Sequence, residues 1–307
     1  MRLSALLSAE LLLVAGSTWA APVPGPDQAE RERAVAAIRK LGGFVIVDEH
    51  RPGKPVVGVR LGWSDVNRPK VTDSALAHVR ALTGLEFLFL QDTAVTDAGL
   101  RHLRGLARLR MLDLSGSKVT DAGLKDLRPL TGLERLSLPR GTGISDAGLK
   151  QLKVLTKLHH LGLAQTKATD AGMGHLRGMT KLELLDLKDT GVTDAGLTQL
   201  GGLTELRTLV LWRTKVTDAG LKHLRGLTKL EWLELIELPI TDAGLAQLRG
   251  LTKLQVLKLD GTRVTDAGLK HLRGLAKLRE LWLRETKVTD AGVQELRKAL
   301  PKTQIYH

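Results

Sequence analysis

Within each stretch of about 24 residues, the leucines have first the spacing of a helix and then the spacing of a strand. In residues 95–118, Leu100 and Leu103 have the spacing of one face of a short helix. Leu112 and Leu114 then alternate with other side chains, which is the pattern of a half-buried strand. A helix followed by a strand in every stretch requires parallel strands, with the helices on the opposite side of the sheet. The pattern therefore predicts an α/β chain that is built from one repeated unit.

Thr-Asp-Ala tripeptides mark this repetition along the chain. Thr96 is suited to cap the helix that follows it, and Asp97 lies at the positive end of that helix dipole. Eight of the nine intervals between successive marker aspartates are 24 residues, and the interval from Asp121 to Asp146 is 25. A fixed period in this range predicts a solenoid, in which each repeat packs on its neighbours and no deep catalytic cleft forms. The marker aspartates are Asp73, Asp97, Asp121, Asp146, Asp170, Asp194, Asp218, Asp242, Asp266 and Asp290.

The N-terminal part of the chain departs from the repeat. Residues 1–20 combine Arg2 with an apolar stretch and with small residues before the cleavage point, which predicts a secretory signal peptide. Its apolar run is shorter than the ~20 residues of a membrane-spanning helix, although retention as an uncleaved anchor is the alternative. Residues 21–54 predict an N-terminal cap or linker, with a helix over about 29–41 and a short strand over 44–47.

The rest of the chain predicts one continuous repeat domain. Residues 55–307 hold about ten repeats and a C-terminal cap, which is needed because a bare terminal repeat would expose its apolar face. The last helix is predicted over 293–300, and Ile305 is expected to close the sheet. No apolar run after the signal peptide is long enough to cross a membrane, so no membrane span is predicted once that peptide is removed.

The strand and the turn after it share the motif Leu-x-x-Leu-x-Leu-x-x-Thr. On this motif the chain resembles the leucine-rich repeat family, in its bacterial 24-residue Thr-Asp-Ala-Gly-Leu form, which is similar in pattern to the repeats of F-box substrate receptors. The resemblance implies a curved solenoid, with parallel strands on the concave face and short helices on the convex face. It also implies that threonine takes the turn-bonding role that asparagine or cysteine has in many members. The motif spans Leu85 to Thr93, Leu158 to Thr166, Leu182 to Thr190, Leu206 to Thr214, Leu254 to Thr262 and Leu278 to Thr286.

Charge and composition narrow the classes of function. The chain has no cysteine, which excludes disulfides, thiolate metal sites and a cysteine nucleophile. Its formal net charge is +13, and the basic residues fall on the helices and the turns after them, as with Lys222 and Arg225. A solubilising face is the simplest interpretation, and an acidic cell-envelope polymer is the alternative partner. Nucleic acid is disfavoured because no aromatic side chains interleave with the basic ones.

No catalytic or metal-binding set emerges from the sequence. Equivalent side chains on adjacent packed helices lie about 8–10 Å apart, which is too far for two histidines to share a zinc ion. The marker aspartates do not converge on one point as a calcium site requires. The sequence therefore predicts a protein that is not an enzyme and needs no cofactor. The histidines at one equivalent helix position are His78, His102, His175, His223 and His271.

Large aromatic side chains occupy strand positions that do not face the core. Two groups are predicted on the concave face: Trp63 with the two phenylalanines and Met111, and Trp212 with Trp232, followed by Trp282. Rings and charges on a concave surface are typical anchors for a protein or an extended peptide. The alternative is that these rings arose by neutral drift at exposed positions of the repeat and have no binding role. The predicted contact residues are Phe87, Phe89, Met111, Arg135, His160, Asp186, Trp212, Trp232, Glu234 and Trp282.

The sequence thus predicts a secreted, periplasmic or cell-envelope protein that binds another protein through its concave face. Two alternatives stay open at this point. One is a structural envelope protein that binds acidic polymer through its basic convex face. The other, implied by the resemblance alone, is a substrate receptor in a ubiquitin-ligase-like complex. That role would need an F-box-like helical segment before the repeats, and residues 21–54 are too short to hold one.

Overall fold

One sheet runs through the whole of the described chain. The computed structural model describes residues 28–62, 71–141 and 143–307. Its twelve strands follow one another in chain order, β1 pairing antiparallel with β2 and the later neighbours pairing in parallel. The strands are β1 (Phe44–Val47), β2 (Val56–Arg60), β3 (Phe87–Phe89), β4 (Met111–Asp113), β5 (Arg135–Ser137), β6 (His160–Gly162), β7 (Leu184–Asp186), β8 (Thr208–Val210), β9 (Trp232–Glu234), β10 (Val256–Lys258), β11 (Glu280–Trp282) and β12 (Gln304–Tyr306).

Short helices connect the parallel strands, and all of these helices lie on one side of the sheet. Several continue into one turn of 3-10 helix, as at Arg101–Leu103 and Lys222–Leu224. The helices are α1 (Gln28–Lys40), α2 (Asp73–Val79), α3 (Asp97–Leu100), α4 (Asp121–Leu124), α5 (Asp146–Leu152), α6 (Asp170–Met173), α7 (Asp194–Leu197), α8 (Asp218–Leu221), α9 (Asp242–Leu245), α10 (Asp266–Leu269) and α11 (Asp290–Ala299).

The core is a layer of leucine between the sheet and the helices. The central residue of each short strand is buried, as with Leu185 and Leu209, and the helix leucines pack against it from the other side. The first and third residues of each strand therefore point away from the core. We call the exposed side of the sheet the concave face and the helix side the convex face. This arrangement confirms the α/β solenoid that the sequence predicts.

The two ends match the predicted elements within a few residues. Helix α1 and strand β1 occupy the predicted cap segment, and β1 forms the antiparallel edge of the sheet. Ile305 is buried in β12, which closes the other edge. The last helix begins at Asp290, three residues before the predicted start at 293, and Thr289 caps it by accepting the backbone N–H of Gly292. The predicted signal peptide, residues 1–20, lies outside the described residues.

The marker aspartates connect neighbouring repeats. Asp97 Oδ1 accepts the backbone N–H of Thr120 at 2.7 Å, and Asp97 Oδ2 accepts the Thr120 hydroxyl at 2.7 Å. The same pair of bonds recurs along the series, for example from Asp194 to Thr217. Each of these carboxylates lies in the first turn of its own helix, as the sequence predicts, but the dipole of that helix is only part of its role. Their hydrogen-bond donors belong to the next repeat, and we call this pair of bonds the aspartate clamp.

The clamp explains why glycine follows each Asp-Ala pair. A Cβ atom at Gly220 would lie 2.3 Å from Asp194 Oδ1, inside the clamp of the preceding repeat. The capping threonine also serves two bonds, because the Thr217 hydroxyl donates to Asp194 and accepts the backbone N–H of Ala219 at 3.3 Å. The N-cap role that the sequence predicts for Thr96 is confirmed by the same bond from Ala98, at 3.2 Å.

The motif threonines bond within their own repeat. Thr190 Oγ1 donates to the carbonyl of Leu187 at 2.7 Å, and Thr214 does the same to Leu211 at 2.8 Å. These buried hydroxyls satisfy a turn carbonyl, which is the backbone role that the resemblance implies for them.

Candidate functional site

The parallel register arranges the concave face in rows that run across the strands. Position one of each strand forms a first row, in which Trp232 lies between Thr208 and Val256. Position three forms a second row, in which Trp282 follows Lys258. Nine of the ten predicted contact residues fall in these rows. The first row holds Phe87, Met111, Arg135, His160 and Trp232, and the second row holds Phe89, Asp186, Glu234 and Trp282.

The N-terminal ring group is less exposed than the sequence predicts. Phe87 pairs in register with Met111, and both side chains are half-buried on the concave face. The expectation of an exposed ring is wrong for Phe89, which is 8% exposed, and the Arg60 guanidinium lies 4.9 Å from its ring centroid. Trp63, the third predicted ring of this group, lies outside the described residues.

The C-terminal rings form a cluster around one lysine. Lys258 Nζ lies 4.8 Å from the ring centroid of Trp232 and 5.7 Å from that of Trp282. Glu234 Oε1 accepts both the Trp232 indole N–H and the Lys258 ammonium, each at 2.8 Å. These contacts hold both rings in place on the sheet, and cation–π pairs of this kind contribute about 0.5–2 kcal/mol each. We call Trp232, Glu234, Lys258 and Trp282 the tryptophan cluster.

Glu234 is the buried part of this cluster. It is 5% exposed, so the expectation of a charge on the concave surface is wrong for this residue. Its carboxylate instead fixes the positions of Trp232 and Lys258, whose side chains are half-buried and reach the surface. Its place among the contact residues stays a prediction.

Tyr306 extends the cluster to the end of the sheet. Its ring stacks on Trp282, with centroids 4.0 Å apart and an interplanar angle of 26°. The Arg284 guanidinium lies 5.0 Å from the Trp282 centroid and 6.0 Å from the Tyr306 centroid. The sequence prediction does not include Tyr306. Its position 24 residues after Trp282 is the signal that would have found it.

Trp212 has a separate set of contacts. It lies two residues beyond the end of β8, outside the two rows. Lys188 Nζ is 3.4 Å from its ring centroid, and its indole N–H donates to Glu237 at 3.3 Å. Trp212 and Trp232, which the sequence places in one group, therefore have different neighbours.

A shallow groove follows the first row along one side of the tryptophan cluster. It has a volume of about 390 Å³ and crosses the strands from β6 to β11. Six residues of the first row line it: His160, Leu184, Thr208, Trp232, Val256 and Glu280.

Residues that precede the strands form the charged rim of this groove. Arg207 pairs with Glu231, and Gln255 donates to the same glutamate at 2.9 Å. His159 Nδ1 lies 3.2 Å from Glu183. The sequence prediction does not include this rim, although its residues recur at the 24-residue period.

Asp186 is a carboxylate that the fold partly removes from water. Burial raises its pKa, and the nearby negative charge of Glu234 acts in the same direction. The backbone N–H of Lys188, which donates to Asp186 Oδ1 at 3.0 Å, opposes the shift, as do the positive charges of Arg140 and Lys188. Ionisation of Asp186 at neutral pH therefore weakens the folded state relative to the unfolded chain.

Asp186→Asn is expected to raise the melting temperature at pH 7, because asparagine keeps a carbonyl acceptor for Lys188 without the charge. The gain should shrink as pH falls through the raised folded-state pKa. It should vanish below the unfolded value of about 3.9, where both states of the wild type are protonated. Melting curves from pH 7 to pH 3 measure this. A lower melting temperature for the variant at pH 7 would show that the charge stabilises the fold.

The described residues contain neither a metal-binding cluster nor a helix that could cross a membrane. Across residues 28–62, 71–141 and 143–307, no group of three or more histidine or acidic side chains is placed to hold a metal ion. Among the described helices, none has the length and apolar composition needed to cross a bilayer.

Comparisons with known proteins agree with the repeat architecture. The family model described as Leucine Rich repeat matches residues 109–127 and 178–201. The crystal structure of an internalin (inlF) from Listeria monocytogenes is similar with a TM-score of 0.58 at 19% identity, over 92% of this chain and 95% of that one. A leucine-rich repeat protein from Leptospira interrogans also gives 0.58, at 23% identity, over 75% of this chain and 56% of that one. No curated protein sequence matches the chain. Identities this low show the fold alone.

Proposed function

Because this chain has a leucine-rich repeat fold and matches the Leucine Rich repeat model over residues 109–127 and 178–201, we propose that it is a non-catalytic binding module that takes an extended segment of a partner protein on its concave face. The observation that carries this proposal is the tryptophan cluster, in which Lys258 holds two half-buried rings beside an open groove. Tryptophan is one of the residue types that most often dominate binding energy at protein interfaces.

The shape of the groove favours an extended segment over a small molecule. Small-molecule sites are usually enclosed cavities, whereas this groove lies open along six strands. Neighbouring strands are about 4.8 Å apart, so the groove is about 24 Å long, which is the length of about seven extended residues. Its apolar lining would accept apolar side chains from the segment, and its paired rim charges would set polarity and direction.

The tryptophan cluster is preorganised by contacts that exist without a partner. Trp232 is fixed by Glu234, and Trp282 is stacked on Tyr306. Ordering a flexible side chain on binding costs roughly 0.5–1.5 kcal/mol, so rings that are already ordered avoid part of that cost. Asp186 complements the rings, because a cationic side chain of the partner would offset the unfavourable burial of its carboxylate.

Removing both rings is expected to abolish strong partner binding. An envelope extract of the producing cells supplies the partner, because the predicted signal peptide implies export. Proteins retained by the immobilised wild type are identified, and their affinities are compared with those for Trp232→Ala/Trp282→Ala. We expect affinity to fall at least about tenfold, since hot-spot residues contribute 2 kcal/mol or more.

Two variants serve as controls for this experiment. Phe44→Ala removes a ring that is 60% exposed at the β1 edge of the sheet and should leave affinity unchanged. Arg225→Gln alters the convex face and should also have no effect. Circular dichroism checks that the double variant remains folded. Retained proteins that bind the folded double variant as tightly as the wild type would contradict the proposal.

A further inference from the structure

Basic side chains form three columns along the convex face. Each column occupies one equivalent position of the helix or of the turn after it. All members are exposed except Lys229, which is half-buried. The first column is Arg101, Lys125, Lys150, Lys222 and Lys270. The second is Arg104, Arg128, Lys153, Arg177, Arg225, Arg249 and Arg273, and the third is Arg108, Lys157, Lys181, Lys229, Lys253 and Lys277.

Most of this charge has no acidic partner within the fold. In the part of the chain that the structure describes, the ion pairs to these columns are Arg104 with Asp126 and Lys229 with Glu205. Arg249 instead donates a hydrogen bond from its Nε to His271 Nδ1, at 3.0 Å. Burial and the neighbouring positive charges of Arg249 and Lys270 lower the pKa of His271, although Asp242 opposes them. Two column cations of neighbouring repeats, Arg249 and Lys270, thus act on the same histidine.

The repeat of α7 interrupts all three columns. Thr198, Gly201 and Glu205 stand there at the three equivalent positions, where the next repeat has Lys222, Arg225 and Lys229. The second column is thus divided into a block over the repeats of α3 to α6 and a block over the repeats of α8 to α10. Within these blocks the first column also lacks a cation at Gly174 and Ala246, and the third lacks one at Gly132.

We propose that the convex columns bind a linear anionic glycan, a polysaccharide with a carboxylate or sulfate group on its repeating sugars. Equivalent positions on adjacent packed helices lie about 8–10 Å apart, so the second column offers cations at regular intervals along one line on each side of its gap. A polymer with regularly repeated charges meets the cations of the second column in succession, the other two columns add cations beside it, and weak contacts then add to a useful affinity.

Other polyanions fit these columns less well. The helices and turns that carry them contain no phenylalanine, tryptophan or tyrosine on which a nucleic-acid base could stack. Among the described residues, Phe44 is the one large apolar side chain that is exposed, and it lies in β1 at the edge of the sheet. The described helices and turns that carry the columns therefore expose no large apolar side chain. Insertion into a lipid surface needs such apolar groups.

Joining the two blocks is the sharpest test. The variant Thr198→Lys/Gly201→Arg/Glu205→Lys gives the α7 repeat the residues of its neighbour. A Cβ atom at Gly201 meets nothing within 4 Å, so a side chain can begin there without a clash. Each cation near an anionic surface contributes enough for a severalfold change in affinity, so we expect the affinity for heparin and for polygalacturonate to rise at least about tenfold at low salt. Rising salt should weaken both complexes.

Two charge-matched variants show whether position matters or only net charge. Lys222→Gln/Arg225→Gln/Lys270→Gln removes three column cations, and Lys118→Gln/Lys167→Gln/Lys215→Gln removes three exposed cations from the turns after the strands. The first should weaken heparin binding at least about tenfold, and the second should have a much smaller effect.

Three results would overturn the proposal. One is equal loss in the two charge-matched variants, and another is no gain when the blocks are joined. The third is tighter binding of double-stranded DNA, or of phosphatidylserine vesicles, than of either glycan under the same conditions. Trp232→Ala/Trp282→Ala should leave glycan affinity unchanged, so failure of the concave-face proposal is distinguished from failure of this one.

Discussion

Leu185→Ala is expected to lower the free energy of unfolding by about 2–5 kcal/mol. Leu185 is the central residue of β7, and its side chain has no exposed surface. It lies in register between Leu161 and Leu209, so its removal opens a cavity in a continuous layer of leucine. The lost transfer free energy and the unfilled cavity both weaken the fold. Urea unfolding followed by circular dichroism measures the change.

Leu184→Ala is the matched control for this substitution. Leu184 is the preceding residue of the same strand, but it faces the concave side and is half-buried. Its loss should cost clearly less than the loss of Leu185. Because side chains alternate between the two faces of a strand, a shift of register by one residue would exchange the two results. A larger effect at Leu184 would therefore show that the strand register is wrong.

Gly220→Ala is expected to cost about 2 kcal/mol or more, although alanine is ordinarily the better helix former. The new Cβ atom would lie 2.3 Å from Asp194 Oδ1 and 3.0 Å from Asp194 Cγ, so the carboxylate must move. That movement breaks its bonds to the backbone N–H and the hydroxyl of Thr217. Hydrogen bonds to a charged group contribute about 1.5–3 kcal/mol, which exceeds the gain in helix propensity of about 1 kcal/mol.

Gly226→Ala provides the comparison within the same repeat. A Cβ atom at Gly226 meets nothing within 4 Å, so the substitution should change stability little. Both variants are compared by their unfolding midpoints in urea. If they behave alike, the requirement for glycine at position 220 does not come from the aspartate clamp.

The period of the leucines was sufficient to predict the strand register and the place of the helices. Leu112 and Leu114 alternate within one repeat, so the inward face of β4 could be assigned without knowledge of its neighbours. The role of Asp97 could not be assigned in this way, because its partner Thr120 belongs to the next repeat. When one repeat is considered alone, the nearest partner of Asp97 is the N-terminus of its own helix. The sequence therefore indicated only an interaction with the helix dipole.

The concave face was predictable in position but not in exposure. Trp232 and Trp282 could be placed on it because each occupies a non-core strand position. The burial of Phe89 and Glu234 depends on the side chains that pack around them, such as Arg60 and Lys258. The separation of Trp212 from Trp232 likewise depends on where β8 ends, and sequence patterns locate strand ends only to within a few residues.

Every junction that the aspartate clamp makes is chemically the same. Asp170 accepts two hydrogen bonds from Thr193, and Asp218 accepts the same two from Thr241. At each junction one carboxylate therefore binds one threonine or serine of the following unit. A whole unit can therefore be duplicated or lost in the gene while the two surfaces that meet at the new junction remain complementary. Each such event changes the length of the concave groove by one strand spacing of about 4.8 Å. Recombination can thus change the length of the partner segment that the groove binds. Point substitutions on the concave face change, independently, which side chains of that segment the groove prefers.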